Sequence, residues 1–106
     1  MNMEEIAEFT YARNRLWREK LTKEQVKRTF EVFKNNVIEE RRDGELIGVG
    51  VYIRFRDELF FISATVREDT AGVVIMLRAL KEEARKKGVE YISWFNRKNQ
   101  LKRWRV

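Results

Sequence analysis

The sequence predicts a three-layer α+β domain, with helices on both faces of a sheet, and three observations carry that expectation. Two period-two runs, separated by a short polar turn, fill residues 45–66. A helical stripe follows them and stops at Gly88, and a further apolar run, Val89 to Phe95, comes next. The first third of the chain instead carries its apolar residues at helical steps. Together these define a β-β-α-β unit with helices in front of it.

Taken in order, the chain opens with a helical pattern from about Met3 to Lys20, in which Ile6, Phe9, Ala12 and Leu16 form a stripe. Arg13, Arg15, Arg18 and Lys20 occupy the opposite face, which reads as solvated surface. Thr22 is placed to cap a second helix, Gln25 to close the capping box, and Leu21 and Val26 to staple the entry. Val26, Phe30 and Phe33 line its buried face, and Asn35-Asn36 marks its end. These are the two N-terminal helices expected.

Three antiparallel strands follow, at residues 37–42, 45–56 and 59–66. Asp43-Gly44 suits the type I′ turn of a tight hairpin. In the second strand, Ile47, Val49, Val51, Ile53 and Phe55 make one face continuously apolar. The other face holds Gly48 and Gly50, which mark a bulge or a close approach of packed groups. A crossover helix is expected over residues 70–87, capped by Asp69 or Thr70, with Val73, Met76, Leu77, Leu80 and Ala84 as its core stripe. Arg85, Lys86 and Lys87 favour its C-terminal dipole, and Gly88 supplies the left-handed stop. A parallel strand at 89–95 and a short C-terminal helix holding Leu101 and Trp104 complete the reading, as a single domain over residues 1–106.

Composition narrows the chemistry. The chain has 106 residues, no cysteine and no histidine. That removes thiolate zinc sites, disulfides and every Ser–His or Cys–His nucleophile pair. The carboxylates show no metal-binding spacing, so no metal is expected. The N-terminus carries acids where a signal peptide needs a basic region, and no apolar run reaches the roughly 18 residues of a membrane span. A cytoplasmic protein without a membrane partner is expected. The net charge of +6 suits polyanions, and five cations, Arg97, Lys98, Lys102, Arg103 and Arg105, make a basic partner surface in an acid-free C-terminal segment.

The order of elements resembles that of the GCN5-related N-acetyltransferase (GNAT) family. Residues 62–80 (ISATVREDTAGVVIMLRAL) look like its fourth strand, pyrophosphate loop and following helix. Residues 91–104 (YISWFNRKNQLKRW) look like its fifth strand, an asparagine and the start of the next helix. The family's loop runs arginine or glutamine, two residues, glycine, one residue, then glycine or alanine. Two registers place that pattern here, one starting at Glu68 and one at Arg67. In both, Ala71 and Gly72 supply slim positions, while Glu68 and Asp69 bring acids towards the pyrophosphate. No tyrosine follows the fifth strand, where Trp104 lies nearest, and the family's last two strands have no counterpart. The resemblance is therefore to a minimal, C-terminally short and motif-degenerate member, whose open sheet edge a second copy could complete.

What the resemblance implies is acetyl-CoA-dependent transfer of an acetyl group to an amine. Ala64, Val66, Arg67, Thr70, Ala71 and Gly72 would bind the coenzyme, and Glu45 or Glu58 would relay a proton, with Tyr52 as an acid. The alternative is a catalytically inactive binding or accessory protein of the same fold, of the kind a phage genome carries, using the basic surface on nucleic acid or a protein partner.

Overall fold

A computed structural model describes residues 1–106. Helix α1 (Met3–Arg13) starts where the Asn2 side chain accepts a hydrogen bond from the Glu5 amide at 3.1 Å. It ends at Asn14, whose extended backbone breaks the single helix expected up to Lys20. The Asn14 amide group donates to Ser63 Oγ and Thr65 Oγ1 at 3.1 and 3.2 Å, and its carbonyl oxygen accepts from the Trp17 amide. One side chain thus caps helix α2 (Arg15–Lys20) and fastens the junction to the sheet. Three partners for one asparagine outweigh one more turn of regular helix, and Leu16, expected in the stripe, is left exposed.

The capping box forms as expected at the start of helix α3 (Lys23–Val32). The Gln25 amide donates to Thr22 Oγ1 at 3.1 Å, and the Thr22 amide to Gln25 Oε1 at 2.8 Å. Such a cap contributes about 1 kcal/mol. A 3₁₀ turn at Lys34–Asn36 then leads into the sheet.

Five strands follow in the spatial order of the sequence: β1 (Val37–Arg42), β2 (Glu45–Phe55), β3 (Glu58–Val66), β4 (Tyr91–Phe95) and β5 (Leu101–Arg105). β1, β2 and β3 pair antiparallel, β3 and β4 pair parallel, and β4 and β5 form an antiparallel hairpin. Asp43 and Gly44 both take positive φ, 52° and 81°, as the type I′ turn demands. Helix α4 (Gly72–Lys87) carries the chain from β3 to β4 and stops at Gly88 with φ 68°.

Two cores hold the layers. Val49, Val51 and Leu46 meet Ile6, Phe9, Val26 and Phe30 of α1 and α3 on one face. Tyr52, Leu59, Phe61 and Ile92 meet Met76, Leu77, Leu80 and Ala84 of α4 on the other. Gly48 and Gly50 serve the second contact. A Cβ on Gly48 would sit 2.7 Å from Met76 Sδ, and one on Gly50 would sit 2.6 Å from the Phe61 ring and 2.8 Å from Met76 Cε. Both glycines let the helix and its methionine close on the strand.

The C-terminal segment corrects the expected helix. Residues 96–100 turn tightly, Asn99 taking φ 58°, and Asn96 Oδ1 accepts from the Lys98 and Gln100 amides, each at 2.9 Å. Leu101 to Arg105 then run as β5, Trp104 packing edge-on against Trp94 at 4.8 Å between centroids. β5 covers the outer side of β4, so β4 is an inner strand rather than the expected edge. β4 itself starts at Tyr91, because the Glu90 and Tyr91 amides both donate to the Asp57 carbonyl before regular pairing begins.

Candidate functional site

β3 and β4 pair over three residues only, Glu58 to Phe60 against Tyr91 to Ser93. Two causes part them beyond that point. Ile62 is an extra residue in β3, since Val51 faces Ser63 while Tyr52 faces Phe61, and such a bulge bends its strand. β4 meanwhile continues only against β5. The backbone groups of residues 61–66 that point towards β4 therefore lack a strand partner. A cleft of about 750 Å³ opens between the strands, at their carboxyl ends, where open sheets hold ligands.

One wall of the cleft is β3, with Phe61, Ser63, Ala64 and Val66; its floor is Val73, Met76 and Leu77 of α4. The hairpin of β4 and β5 forms the other wall, with Trp94, Asn96, Arg97, Lys98, Gln100 and Lys102. Three of these side chains are cations, and no carboxylate lines the cleft. Its charge is suited to an anionic ligand.

α4 begins at the mouth of this cleft. Neither Asp69 nor Thr70 caps it as expected: the N-cap is Ala71 and no side chain bonds to the first turn. The Thr70 hydroxyl donates instead to the Arg67 carbonyl at 2.7 Å. The early amides of a 16-residue helix are thus left free of side-chain partners, a ready anion site. Gly72 is slim for a packing reason. A Cβ there would lie 2.1 Å from Val66 Cγ2, so Gly72→Ala must push the helix off the strand end. Overpacking of this kind costs about 1–3 kcal/mol, more than the 0.4–1 kcal/mol or so that replacing glycine returns through the unfolded chain. Urea unfolding should therefore show G72A destabilised, and Val66→Ala in the same chain should recover part of the loss.

The acids in the loop before α4 are neutralised locally. Arg67 Nε donates to Asp69 Oδ1 at 2.6 Å and Arg67 Nη1 to Glu45 Oε2 at 2.9 Å. The Arg67 hydrogen bond holds the Asp69 carboxyl below its usual range. Arg13 Nε lies 3.6 Å from Glu68. Asp69 thus presents an ion pair rather than a bare charge, and Glu68 has a cation nearby.

The residues expected to carry catalysis are not brought together. Glu45 lies at the open end of the sheet, spent on Arg67 and largely exposed. Tyr52 is buried beneath α4, only 1% exposed, and burial, helped by Glu83, pushes its phenol up to about 12. The unfolded chain ionises from 10.0 upward, so this stabilisation is complete below pH 10 and is lost as pH rises through the folded value. Stability should fall by about 1.4 kcal/mol per pH unit within that window; urea midpoints across it, compared with Tyr52→Phe, would isolate this contribution. Glu58 is the first residue of the stretch that pairs with β4, two residues before the strands part, and it does not line the cleft. Its Oε2 accepts from the buried Ser93 hydroxyl at 2.6 Å, and Arg103 Nε lies 3.4 Å from its Oε1.

Of the six expected coenzyme contacts, Ala64 and Val66 line the cleft, while Arg67, Thr70, Ala71 and Gly72 form the loop at its mouth. The basic surface divides. Arg97, Lys98 and Lys102 line the cleft; Arg103 stacks 3.7 Å over Tyr91 and, with Arg105, lies on the opposite face of β5. Trp94, Asn96 and Gln100 were not anticipated as cleft residues, because reading a helix after β4 hid the hairpin that aims them inward. No group of three or more acidic, histidine or cysteine side chains gathers as a metal site, and no helix is long and apolar enough to cross a membrane.

A mixed sheet whose parallel central pair splays beside a helix N-terminus defines the class: the fold is that of the GCN5-related N-acetyltransferases. Solved structures share this fold. The chain superposes on an aminoglycoside 6'-N-acetyltransferase in complex with coenzyme A with a TM-score of 0.68 at 15% identity, covering 87% of this chain and 53% of that one. An aminoglycoside 6'-acetyltransferase type Ii gives 0.70 at 14% identity, with 87% and 62% covered. A ribosomal-protein-alanine N-acetyltransferase from Brucella melitensis gives 0.62 at 20% identity, with 86% and 68% covered. The chain thus spans little more than half the length of the first of these. No protein-family model and no curated protein sequence matches it.

Proposed function

We propose that the chain, as a single GNAT-like domain, binds acetyl-CoA in the cleft between β3 and β4 and transfers the acetyl group to an amine. The observation that carries this reading is the splay of two parallel strands beside an uncapped helix N-terminus. The coenzyme A complex of one relative supports it.

The residues present fit the coenzyme. The free amides at the start of α4, with Thr70, Ala71 and Gly72, would receive the pyrophosphate. Arg97, Lys98 and Lys102 give the opposite wall the charge that phosphates require. Unpaired backbone groups of residues 61–66, with Ala64 and Val66, would hold an extended amide chain as a strand holds its neighbour. Bound there, acetyl-CoA supplies the acetyl group as an activated thioester.

This chain's own contribution is positioning and proton removal. Glu58 is the candidate base: Ser93 and Arg103 fix it beneath the paired stretch behind the cleft, outside its lining, so a proton from the amine would reach it only by way of water. Glu45 serves the loop through Arg67, and Tyr52 serves the core. Calorimetric titration with acetyl-CoA, followed by an assay for free thiol with a panel of amines, tests the reading. Saturable binding and amine-dependent thiol release are expected; no heat at millimolar ligand would overturn it.

A further inference from the structure

A second groove lies outside the cleft, between the exposed side of α4 and β5. It encloses about 350 Å³ and is lined by Val74, Leu77, Arg78, Lys81, Arg85 and Trp104. We infer that this groove binds single-stranded nucleic acid, through phosphate contacts from α4 and a base stacked on Trp104.

Three observations converge on this. First, Arg78, Lys81 and Arg85 recur at helical steps of three and four, so one face of α4 presents all three. No acid lines the groove. Secondly, these cations stay out of the ion pairs that occupy so many others, such as Lys87 with Glu83 on the same helix and Arg103 with Glu58 on β5. Their charge is available to a partner. Lys102 extends the same field, since its position opposite Trp94 puts it on the α4 side of β5. Thirdly, Trp104 is 47% exposed, yet its ring is held edge-on by Trp94 at 4.8 Å. An ordered, half-open indole beside unpaired cations is the arrangement that accepts an unpaired base while its phosphates are neutralised. A duplex keeps its bases stacked internally and offers Trp104 nothing, and an acidic peptide satisfies the charge but not the ring.

The groove shares Leu77 with the cleft, but its cations lie along α4 away from the uncapped N-terminus. It therefore does not depend on the coenzyme reading. Fluorescence anisotropy with a labelled oligothymidine of about 16 nucleotides, within the length one small domain covers, tests the inference. Binding is expected to weaken with salt at a slope of about −3, the value for four phosphate contacts on a single strand. The exposed triple variant Arg78→Ala, Lys81→Ala, Arg85→Ala should lower affinity at least about tenfold and flatten that slope. Trp104→Ala should lower affinity about tenfold with the slope kept, and the oligonucleotide should quench tryptophan fluorescence. Absence of binding at low salt, an unaffected triple variant, or equal affinity for duplex or for polyglutamate would each overturn it.

Discussion

Glu58→Gln is expected to cut amine acetylation by about 10²–10⁴-fold in kcat, the range for removing a positioned general base. The substitution keeps an oxygen that can accept from the Ser93 hydroxyl, now at 2.6 Å, and removes only the charge and the basicity. Acetyl-CoA affinity should be unchanged, because Glu58 lies outside the cleft lining, two residues before the strands part and away from the start of α4. A purely structural role would give a different pattern. Loss of the partner of Arg103, a half-exposed cation 3.4 Å away, would cost about 1 kcal/mol or less of stability and leave turnover per folded molecule intact. Stopped-time thiol assays, with urea midpoints on the same preparations, separate the two. Full activity in E58Q would remove Glu58 from the chemistry and leave water or substrate as the base.

Ala64→Trp is expected to weaken acetyl-CoA binding by at least about 100-fold, or about 2.7 kcal/mol. Ala64 is exposed on β3 and lines the cleft, so an indole there occupies ligand space rather than core. Surface substitutions of this kind change stability by about 0.5 kcal/mol or less, and the variant should unfold at nearly the wild-type midpoint. Titration calorimetry on both proteins is the measurement. Unchanged affinity in a folded A64W would place the coenzyme outside the cleft.

Much of the architecture was written in local signals. Thr22 and Gln25 are a matched pair at the one spacing that closes a capping box, and Asp43-Gly44 and Gly88 stand where positive φ is required. Val49 and Val51 alternate with Gly48 and Gly50, and the alternation held as one helix pair and one helix on opposite faces. The misses have a common physical cause, a long-range partner that overrides local preference. Asn14 breaks a good helical pattern because Ser63 and Thr65, some fifty residues on, offer hydrogen bonds. Leu101 and Trp104 are three apart, as in a helix, yet lie on opposite faces of β5 because Trp94 receives one of them.

The site was legible in outline and not in detail. Its position followed from the strand-to-helix junction, and Ala64, Val66 and the loop before α4 were visible there. The cleft itself was not, since its width comes from an extra residue at Ile62 and from the strength of β4's pairing with β5. The acids of the loop looked adverse as letters, and only the geometry pairs Asp69 with Arg67 and brings Arg13 to Glu68.

The central claim is that the splay of β3 from β4 is the coenzyme site. Backbone amide chemical shifts, recorded while coenzyme A is titrated into the labelled protein, test it most directly. Saturable shifts concentrated at residues 61–66, at Gly72 to Val74 and at residues 94–98 are the result expected. Saturation with the largest shifts elsewhere, or no shifts at millimolar ligand, would contradict it.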